Sequence, residues 1–365
     1  MKVLGLDLNV LQNQLQAMSL NVLNWFKYLL VPRHNTISSH KTSKVCISID
    51  GPGGLEQLRL VDIPSGIATV GYNMKDVRSP FVDGSLPESL VYTSTNVLVR
   101  TEYFSVNYAD IAIRWGLYES ALRFVGWPIV PGFDFSGRII WAGDETNFSV
   151  GDKVFGFTMF GAYSTHILVP SSQIRRVPEI PGIDMATAAA IPAVAGTALH
   201  ALNLAGGWSN EWTAASIGTT SQHTTLYKEG RDTRPSSLLA KNKAVLIHSA
   251  AGGVGSTLIQ ICKLAGYSPI VAVVGSSHKV NICKRLGATI VIDKSKLSGQ
   301  SSLNDKIMEA SDHLGYIAIF DANGVETIQQ SYDQLTQCGR LVIYGFHRCS
   351  SAYCNQMHRI VHAGD

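Results

Sequence analysis

The six small residues at positions 250–255 are the part of the sequence best suited to bind an anion. They follow an apolar segment, residues 244–248, and they precede a segment whose apolar residues recur at helical spacing. A strand, a glycine turn and a helix N-terminus leave backbone N–H groups and the positive end of the helix dipole facing a phosphate. This A-x-G-x-x-G pattern predicts a pyrophosphate cradle, while a tight turn that only packs a helix on a sheet is the alternative. The candidate residues are Ala250, Ala251, Gly252, Gly253, Val254 and Gly255.

The residues after the next apolar segment, 270–274, indicate which dinucleotide would bind. An NAD site usually offers an acidic side chain to the ribose at this point, but residues 275–279 contain no Asp or Glu. Ser276 and Lys279 instead suit a 2′-phosphate through charge-assisted hydrogen bonds, and Lys294 could add to them. We therefore predict NADP(H) as the cofactor, with a solvated helix start as the alternative role of Lys279.

Strands and helices alternate through this half of the chain, which predicts a doubly wound parallel sheet. Apolar runs at residues 289–292, 316–321 and 340–344 bring the expected number of strands to about five. Ligands bind at the carboxyl ends of such strands. The residues expected there are Asn323 after one strand and Tyr344, Gly345 and Phe346 after the last.

The first half of the chain has a different pattern. From Val45 onward, short alternating runs are broken by Gly and Pro, which predicts a β-rich domain with a long loop at residues 64–90. The Ala-rich segment 185–204 predicts a buried core helix between the domains. The expected division is an extension at 1–44, a first domain at 45–190, a second domain at 191–348 with an inserted loop at 208–242, and a tail at 349–365.

Composition limits the class of protein. The chain has 365 residues, 45% hydrophobic and 16% charged, which suits a globular protein of about two domains. Its net charge of +3 gives no reason to expect a nucleic-acid partner. The six cysteines are scattered and form no CxxC pair, so we expect reduced thiols and a cytoplasmic location.

Both ends of the chain carry unusual segments. Apolar residues recur by four and three from Leu4 to Leu29, which predicts an amphipathic helix. Residues 1–30 could contact a membrane surface or direct the chain to mitochondria, although the polar face is short of Lys and Arg. A helix packed on its own protein and an unstructured extension are the alternatives. In the tail, Cys349, Cys354, His358 and His362 could bind zinc, while a disordered tail is the other interpretation.

Four further motifs carry a resemblance to a known family. They are N-Y-x-D at residues 107–110, R-x-G-x-Y at 114–118, P-G-x-D-x-x-G at 131–137 and G-D-x-V at 151–154. With the glycine turn, they resemble the medium-chain dehydrogenase/reductase superfamily. The resemblance is greatest to its zinc-free quinone oxidoreductase branch, which includes VAT-1-like vesicle proteins. It covers roughly residues 45–346, and it implies a GroES-like β-rich domain followed by a Rossmann domain.

The resemblance also implies roles for single residues. Asn107 and Tyr118 would border the nicotinamide and substrate, Thr197 would approach the cofactor, and the family often has a tyrosine where this chain has Ala112. Zinc-using relatives supply a Cys and a His where this chain has Asn107 and Phe133, so we expect no metal in the core.

The resemblance implies NADPH-dependent, zinc-independent reduction of a quinone or an activated, conjugated alkene by hydride transfer, with water or Tyr118 giving the proton. The alternative is a non-enzymatic or inactive VAT-1-like nucleotide-binding protein at a membrane surface. The family continues with a sixth strand that often builds the dimer, and the tail of this chain lacks that pattern. We therefore also expect a truncated C-terminus, a sheet without its last strand, a weakened homodimer and lost activity.

Overall fold

The computed structural model describes residues 2–3, 6–7, 44–62, 69–70, 94–206 and 243–345. The chain passes from one compact unit to a second between Ala193 and Val194. We call the described residues 44–193 the N-terminal unit and 194–345 the C-terminal unit. The loop predicted at 208–242, the tail at 349–365 and most of the predicted N-terminal helix lie outside the described residues.

The N-terminal unit is built on antiparallel strands. Strands β3 (Val45–Ile49) and β4 (Leu58–Asp62) form a two-stranded sheet. A six-stranded sheet has the order β10-β8-β7-β6-β9-β5, and only β5 and β9 are parallel. Its strands are β5 (Thr69–Val70), β6 (Asn96–Phe104), β7 (Asp134–Ala142), β8 (Lys153–Phe157), β9 (His166–Pro170) and β10 (Ile174–Arg176).

The alternation of apolar residues explains why these segments form a sheet with one buried face. Val97 and Val99 of β6 pack with Phe135 and Ile139 of β7 and with Ile167 of β9 in one core cluster. Two short helices, α1 (Tyr108–Arg114) and α2 (Glu119–Phe124), lie between β6 and β7. The β-rich domain predicted from the sequence is confirmed.

The Ala-rich segment forms two helices instead of the single helix predicted. Helix α3 is Met185–Ala189 and helix α4 is Pro192–Leu204. Pro192 lacks an N–H group and disfavours helical backbone at Ile191, so the chain breaks there and α4 restarts with proline in its first turn. Helix α4 buries only one face, because Leu199 and Leu204 are exposed. No helix among the described residues is long and apolar enough to cross a membrane.

The C-terminal unit contains a five-stranded parallel sheet with the order β13-β12-β11-β14-β15. The strands are β11 (Val245–Ile247), β12 (Ile270–Val274), β13 (Ile290–Asp293), β14 (Tyr316–Asp321) and β15 (Leu335–Ile343). The helices are α5 (Gly253–Leu264), α6 (Val280–Leu286), α7 (Gln300–Glu309) and α8 (Ile328–Asp333). This arrangement confirms the doubly wound α/β fold.

Two segments differ from the sequence prediction. The sequence predicts strand β15 at residues 340–344, but the strand begins at Leu335. Leu335 already pairs with Tyr316 of β14, and after a bulge the pairing with β14 resumes at Arg340. At the start of the chain, Lys2–Val3 and Leu6–Asp7 form strands β1 and β2, which pair antiparallel. Leu6 and Asp7, which the predicted helix would include, are therefore in a strand.

Candidate functional site

The turn between β11 and α5 has the geometry of an anion cradle. Gly252 is the N-cap of α5, which begins at Gly253. The first N–H groups of a helix have no carbonyl partner within that helix, so those of Gly253, Val254 and Gly255 are available to a ligand. A Cβ added to Gly255 would lie 2.6 Å from the carbonyl oxygen of Ser249, so only glycine fits there. Ala250 and Ala251 are buried at the base of the turn.

Helix α4 lies against this turn. A Cβ added to Gly253 would lie 2.7 Å from Val194 Cγ1, so the Val194 side chain packs directly on the Gly253 backbone. Thr197 follows Val194 by three residues and is half-buried. Residues three apart share a helix face, so Thr197 lies on the side of α4 that packs on the glycine turn.

The residues predicted to bind a 2′-phosphate lie after two neighbouring strands. Ser276 precedes a turn of 3-10 helix that ends at Lys279, after β12. Lys294 begins a similar turn after β13. Its Cε lies 3.6 Å from the point where a Cβ on Gly275 would be, so its side chain reaches across to the end of β12. The structure thus brings Lys294 beside the Ser276 segment.

Sequence reasoning missed an acidic residue in this corner. Asp293 accepts a hydrogen bond from Ser277 Oγ at 2.5 Å and from Ser295 Oγ at 2.6 Å. These hydrogen bonds hold the pKa of Asp293 below its usual value, so the carboxylate stays ionised. A ribose-binding acid is expected directly after β12, whereas Asp293 ends the next strand. Ser276 and the two lysines remain the predicted groups for a phosphate, because Ser277 is already bonded to Asp293.

Asn323 and Tyr344 lie at the carboxyl edge of the sheet, as predicted. Asn323 Oδ1 accepts a hydrogen bond from Ser249 Oγ at 2.8 Å. The Tyr344 hydroxyl donates to the carbonyl oxygen of His248 at 3.4 Å, so the Tyr344 side chain links the ends of β15 and β11. A Cβ on Gly345 would lie 2.9 Å from the Ala322 carbonyl oxygen, so the two loops approach closely. Phe346 lies outside the described residues.

A buried polar network supports this edge from below. The Asp321 carboxyl accepts hydrogen bonds from the hydroxyls of Thr327 and Ser331 at 2.7 and 2.9 Å. Ser331 Oγ also bonds His248 Nε2 at 3.2 Å. Burial, and secondarily the Lys294 ammonium, holds the pKa of His248 below its usual value, against the pull of Asp321. The imidazole is therefore neutral, and the network is structural in character.

In the N-terminal unit, Asn107 is held by a cluster of buried carboxyl groups. Asn107 is the N-cap of α1, and its backbone N–H donates to Asp110 Oδ2 at 2.8 Å. Its side-chain Nδ2 donates to Ser105 Oγ at 3.0 Å and to Asp134 Oδ2 at 3.4 Å. Tyr163 and the Gly132 N–H also donate to Asp110. The motif residues Asn107, Asp110 and Asp134 are thus brought together.

Burial changes the acid–base behaviour of this cluster. Desolvation raises the pKa of Asp134 to about 7 and that of Asp110 to about 6, because burial disfavours the charged carboxylate. The hydrogen bonds that the two carboxyls accept oppose this rise. Burial, with the charge of Asp110, also raises the pKa of Tyr163, which remains a donor.

Tyr118 is the N-cap of α2 and packs among aromatic rings. Its ring centroid lies 6.0 Å from that of Phe133 and 6.4 Å from that of Phe160. Desolvation raises its pKa, so the phenol keeps its proton at neutral pH. Arg114 Nη1 donates to the Gly53 carbonyl oxygen at 2.5 Å, which gives this arginine a role in the fold.

An antiparallel β-rich unit followed by a parallel sheet with a glycine turn defines a two-domain, dinucleotide-binding class of protein. Two family profiles match the chain: "Alcohol dehydrogenase GroES-like domain" over residues 93–179 and "Zinc-binding dehydrogenase" over residues 253–362. The second match includes most of the segment that we set apart as a tail. The chain belongs to the medium-chain dehydrogenase/reductase superfamily and is similar to its quinone oxidoreductase and VAT-1-like members.

Three known proteins illustrate the similarity. A probable quinone oxidoreductase of Schizosaccharomyces pombe is 26% identical over 251 residues, 68% of this chain and 63% of the relative. A synaptic vesicle membrane protein VAT-1 homolog of Danio rerio is 28% identical over 253 residues, 69% of this chain and 44% of the relative. The match thus spans less than two thirds of either relative.

The structure of Escherichia coli quinone oxidoreductase complexed with NADPH is similar to this chain with a TM-score of 0.58 and 20% identity. The match covers 86% of this chain and 78% of that one. At this identity, the similarity establishes the fold.

Zinc, which one matched profile names, does not fit the residues present in the core. Asn107 offers an amide whose nitrogen donates to Ser105 and Asp134, and Phe133 offers a buried phenyl ring, where zinc needs thiolate, imidazole or carboxylate ligands. Within the described ranges, no group of three or more His, Cys, Asp or Glu residues could hold a metal ion. The four candidate ligands of the tail lie outside those ranges, and the zinc-free core stays a prediction.

Proposed function

We propose that this protein is an NADPH-dependent, zinc-independent oxidoreductase that reduces a quinone or a conjugated alkene. The observation that carries the proposal is the glycine turn at the start of α5, where a side chain on Gly255 would collide with the Ser249 carbonyl. Such a turn suits a pyrophosphate, because unpaired backbone N–H groups and the helix dipole favour an anion. The similarity to quinone oxidoreductases supplies the substrate class.

The choice of NADPH is supported by the corner after β12 and β13. Lys294 reaches the end of β12, and Ser276 and Lys279 stand at the two ends of the short turn that follows β12. Two ammonium groups and a hydroxyl favour a phosphate over a free ribose hydroxyl. The Escherichia coli protein of the same fold is described as complexed with NADPH.

The bound cofactor would supply a hydride, and the protein residues would bind, orient and protonate. The N–H groups of Gly253, Val254 and Gly255 hold the diphosphate. By the family resemblance, Asn107 and Tyr118 border the reacting ring. A quinone gains a hydride and a proton to become a hydroquinone, and Tyr118 or water gives the proton. Conjugated substrates suit a site without a Lewis acid, because their delocalised anion needs less stabilisation than a simple alkoxide.

Two measurements on the purified chain test the proposal. Titration with NADPH and with NADH is expected to give at least tenfold tighter binding of NADPH, the range for a charge-assisted phosphate contact. NADPH oxidation is then followed with a quinone, with a conjugated enone and without substrate. Absence of binding, or a preference for NADH, would contradict the proposal.

A second candidate is a nucleotide-binding protein without turnover that associates with a membrane surface. It is favoured by the similarity to the Danio rerio VAT-1 homolog. Binding of NADPH with no oxidation by any quinone or enone would support it. Flotation with vesicles tests the membrane contact by comparing the full chain with a chain that lacks residues 1–44. Identical flotation of the two would contradict a membrane contact through residues 1–30.

A further inference from the structure

The hydrogen bond between Ser249 and Asn323 joins the two strands at the centre of the parallel sheet. Ser249 lies just beyond β11, and Asn323 lies just beyond β14. In the order β13-β12-β11-β14-β15, strands β12 and β13 lie on one side of β11, and the chain then crosses to the other side to form β14 and β15. The gap between β11 and β14 is therefore the switch point, where doubly wound sheets bind their ligands.

The backbone of Ser249 is part of the glycine turn itself. Its φ of 50° is in the left-handed region, which is unusual for a residue with a side chain. In this conformation its carbonyl oxygen accepts the Gly252 N–H at 2.9 Å and closes the turn below Gly255. The main chain of Ser249 thus shapes the cradle, while its hydroxyl reaches Asn323.

Asn323 is fixed at both ends. Its backbone N–H donates to Asp321 Oδ1 at 2.8 Å, and Asp321 is fully buried and anchored by Thr327 and Ser331. Its side-chain Oδ1 accepts the Ser249 hydroxyl. A carboxamide has its oxygen and its NH2 group on opposite branches, so an oxygen held toward Ser249 turns both N–H donors the other way. Asn323 is half-buried, so those donors can meet a ligand.

We propose that Ser249 is a positioning residue for the cofactor, because its hydroxyl orients Asn323 to donate to a ribose oxygen on the nicotinamide side of the diphosphate. The inference rests on the proposed function. It adds a polar contact at the switch point to the backbone cradle that holds the diphosphate. It also explains why a residue with a hydroxyl occupies a left-handed position that glycine would fill without strain.

The test uses Ser249→Gly, which suits the backbone conformation and removes only the hydroxymethyl group. Loss of one oriented hydrogen bond is expected to weaken NADPH binding about fivefold. Binding of adenosine 2′,5′-bisphosphate, which lacks the second ribose, should not change. A merely structural role would move both ligands together. Asn323→Ala should weaken NADPH binding similarly, and Ser249→Gly added to it should have no further effect.

The matched control is Asp312→Gly, because Asp312 is exposed and has a φ of 51° far from the turn in sequence. It should leave the NADPH affinity unchanged. If wild-type protein binds NADPH and both single variants bind it equally well, the positioning role is wrong while the proposed function stands. Losses that add in the double variant would also overturn the role, since the two residues would then act separately. If wild-type protein binds neither dinucleotide, the proposed function fails and the inference fails with it.

Discussion

Asp134 accepts a hydrogen bond at 3.1 Å from the backbone N–H of Ala193, in the first turn of α4. The same carboxyl accepts from Ser105 and from the Asn107 amide. Asp134, the aspartate of the P-G-x-D motif, therefore both caps α4 and orients Asn107, the asparagine predicted to border the substrate. Its complete burial, which raises its pKa, makes this dual role sensitive to pH.

Asp134→Asn is expected to remove a pH dependence of stability. With its pKa raised from 3.8 to about 7, folded Asp134 keeps a proton that the unfolded chain releases. Its contribution to the free energy of unfolding therefore falls as pH rises from about 4 to about 7 and is constant above. Relative to wild type, the variant should gain on the order of 4 kcal/mol across that window. Denaturant unfolding at several pH values measures this, and parallel curves for the two proteins would contradict it.

Gly255→Ala is expected to abolish NADPH binding. The added methyl would lie 2.6 Å from the Ser249 carbonyl oxygen and 2.7 Å from Ala250 Cα, and backbone cannot move aside as a flexible side chain can. Fluorescence titration measures the affinity and thermal unfolding reports the fold. The matched control is Gly196→Ala in α4, where an added Cβ meets nothing within 4 Å. It should raise stability by about 0.5–1 kcal/mol. If Gly255→Ala bound NADPH with wild-type affinity, the glycine turn would not be the diphosphate site.

Lys294→Gln is expected to weaken NADPH binding about tenfold and leave NADH binding within about twofold of wild type, because only NADPH carries the 2′-phosphate. Lys296→Gln is the control, since Lys296 is exposed in the same short turn. Equal effects of the two substitutions on both dinucleotides would indicate general electrostatics instead of a phosphate contact.

Tyr118→Phe is expected to lower kcat by about a hundredfold or more if the phenol is the acid, within the range for general acid catalysis. Its ring packs on Phe133 and Phe160, so the fold should be retained. Tyr163→Phe is the comparison, because the Tyr163 hydroxyl donates to buried Asp110. That change should cost about 1–2 kcal/mol of stability. An unchanged kcat in Tyr118→Phe would assign the proton to water.

Local patterns predicted much of the fold. Strands β12 and β14 begin and end where the apolar runs indicate, and α5 begins in the glycine turn. Pattern reading failed where a distant contact decides the structure. The bulge in β15 depends on Leu335 pairing with Tyr316, which no local periodicity encodes.

The same limit applies to the candidate sites. The glycine turn and Lys294 could be found from sequence, because phosphate binding has a local signature. Ser249 and Asn323 are 74 positions apart, and Asp293 acts on a segment from another strand. The raised pKa of Asp134 depends on burial by the folded unit, which the motif alone does not reveal. Asn107 and Tyr118 stay predictions, since their roles depend on a substrate.

The four described cysteines offer a chemical reporter for each half of the chain. Cys46 lies buried in the N-terminal unit and Cys283 in the C-terminal unit, and burial raises the pKa of each thiol to about 11. An alkylating reagent that needs a thiolate reaches such groups only when the surrounding structure opens. Cys338, which is exposed, reacts without opening. The rates at which Cys46 and Cys283 are alkylated would therefore report how often the structure around each thiol opens, separately for the two halves and without denaturant.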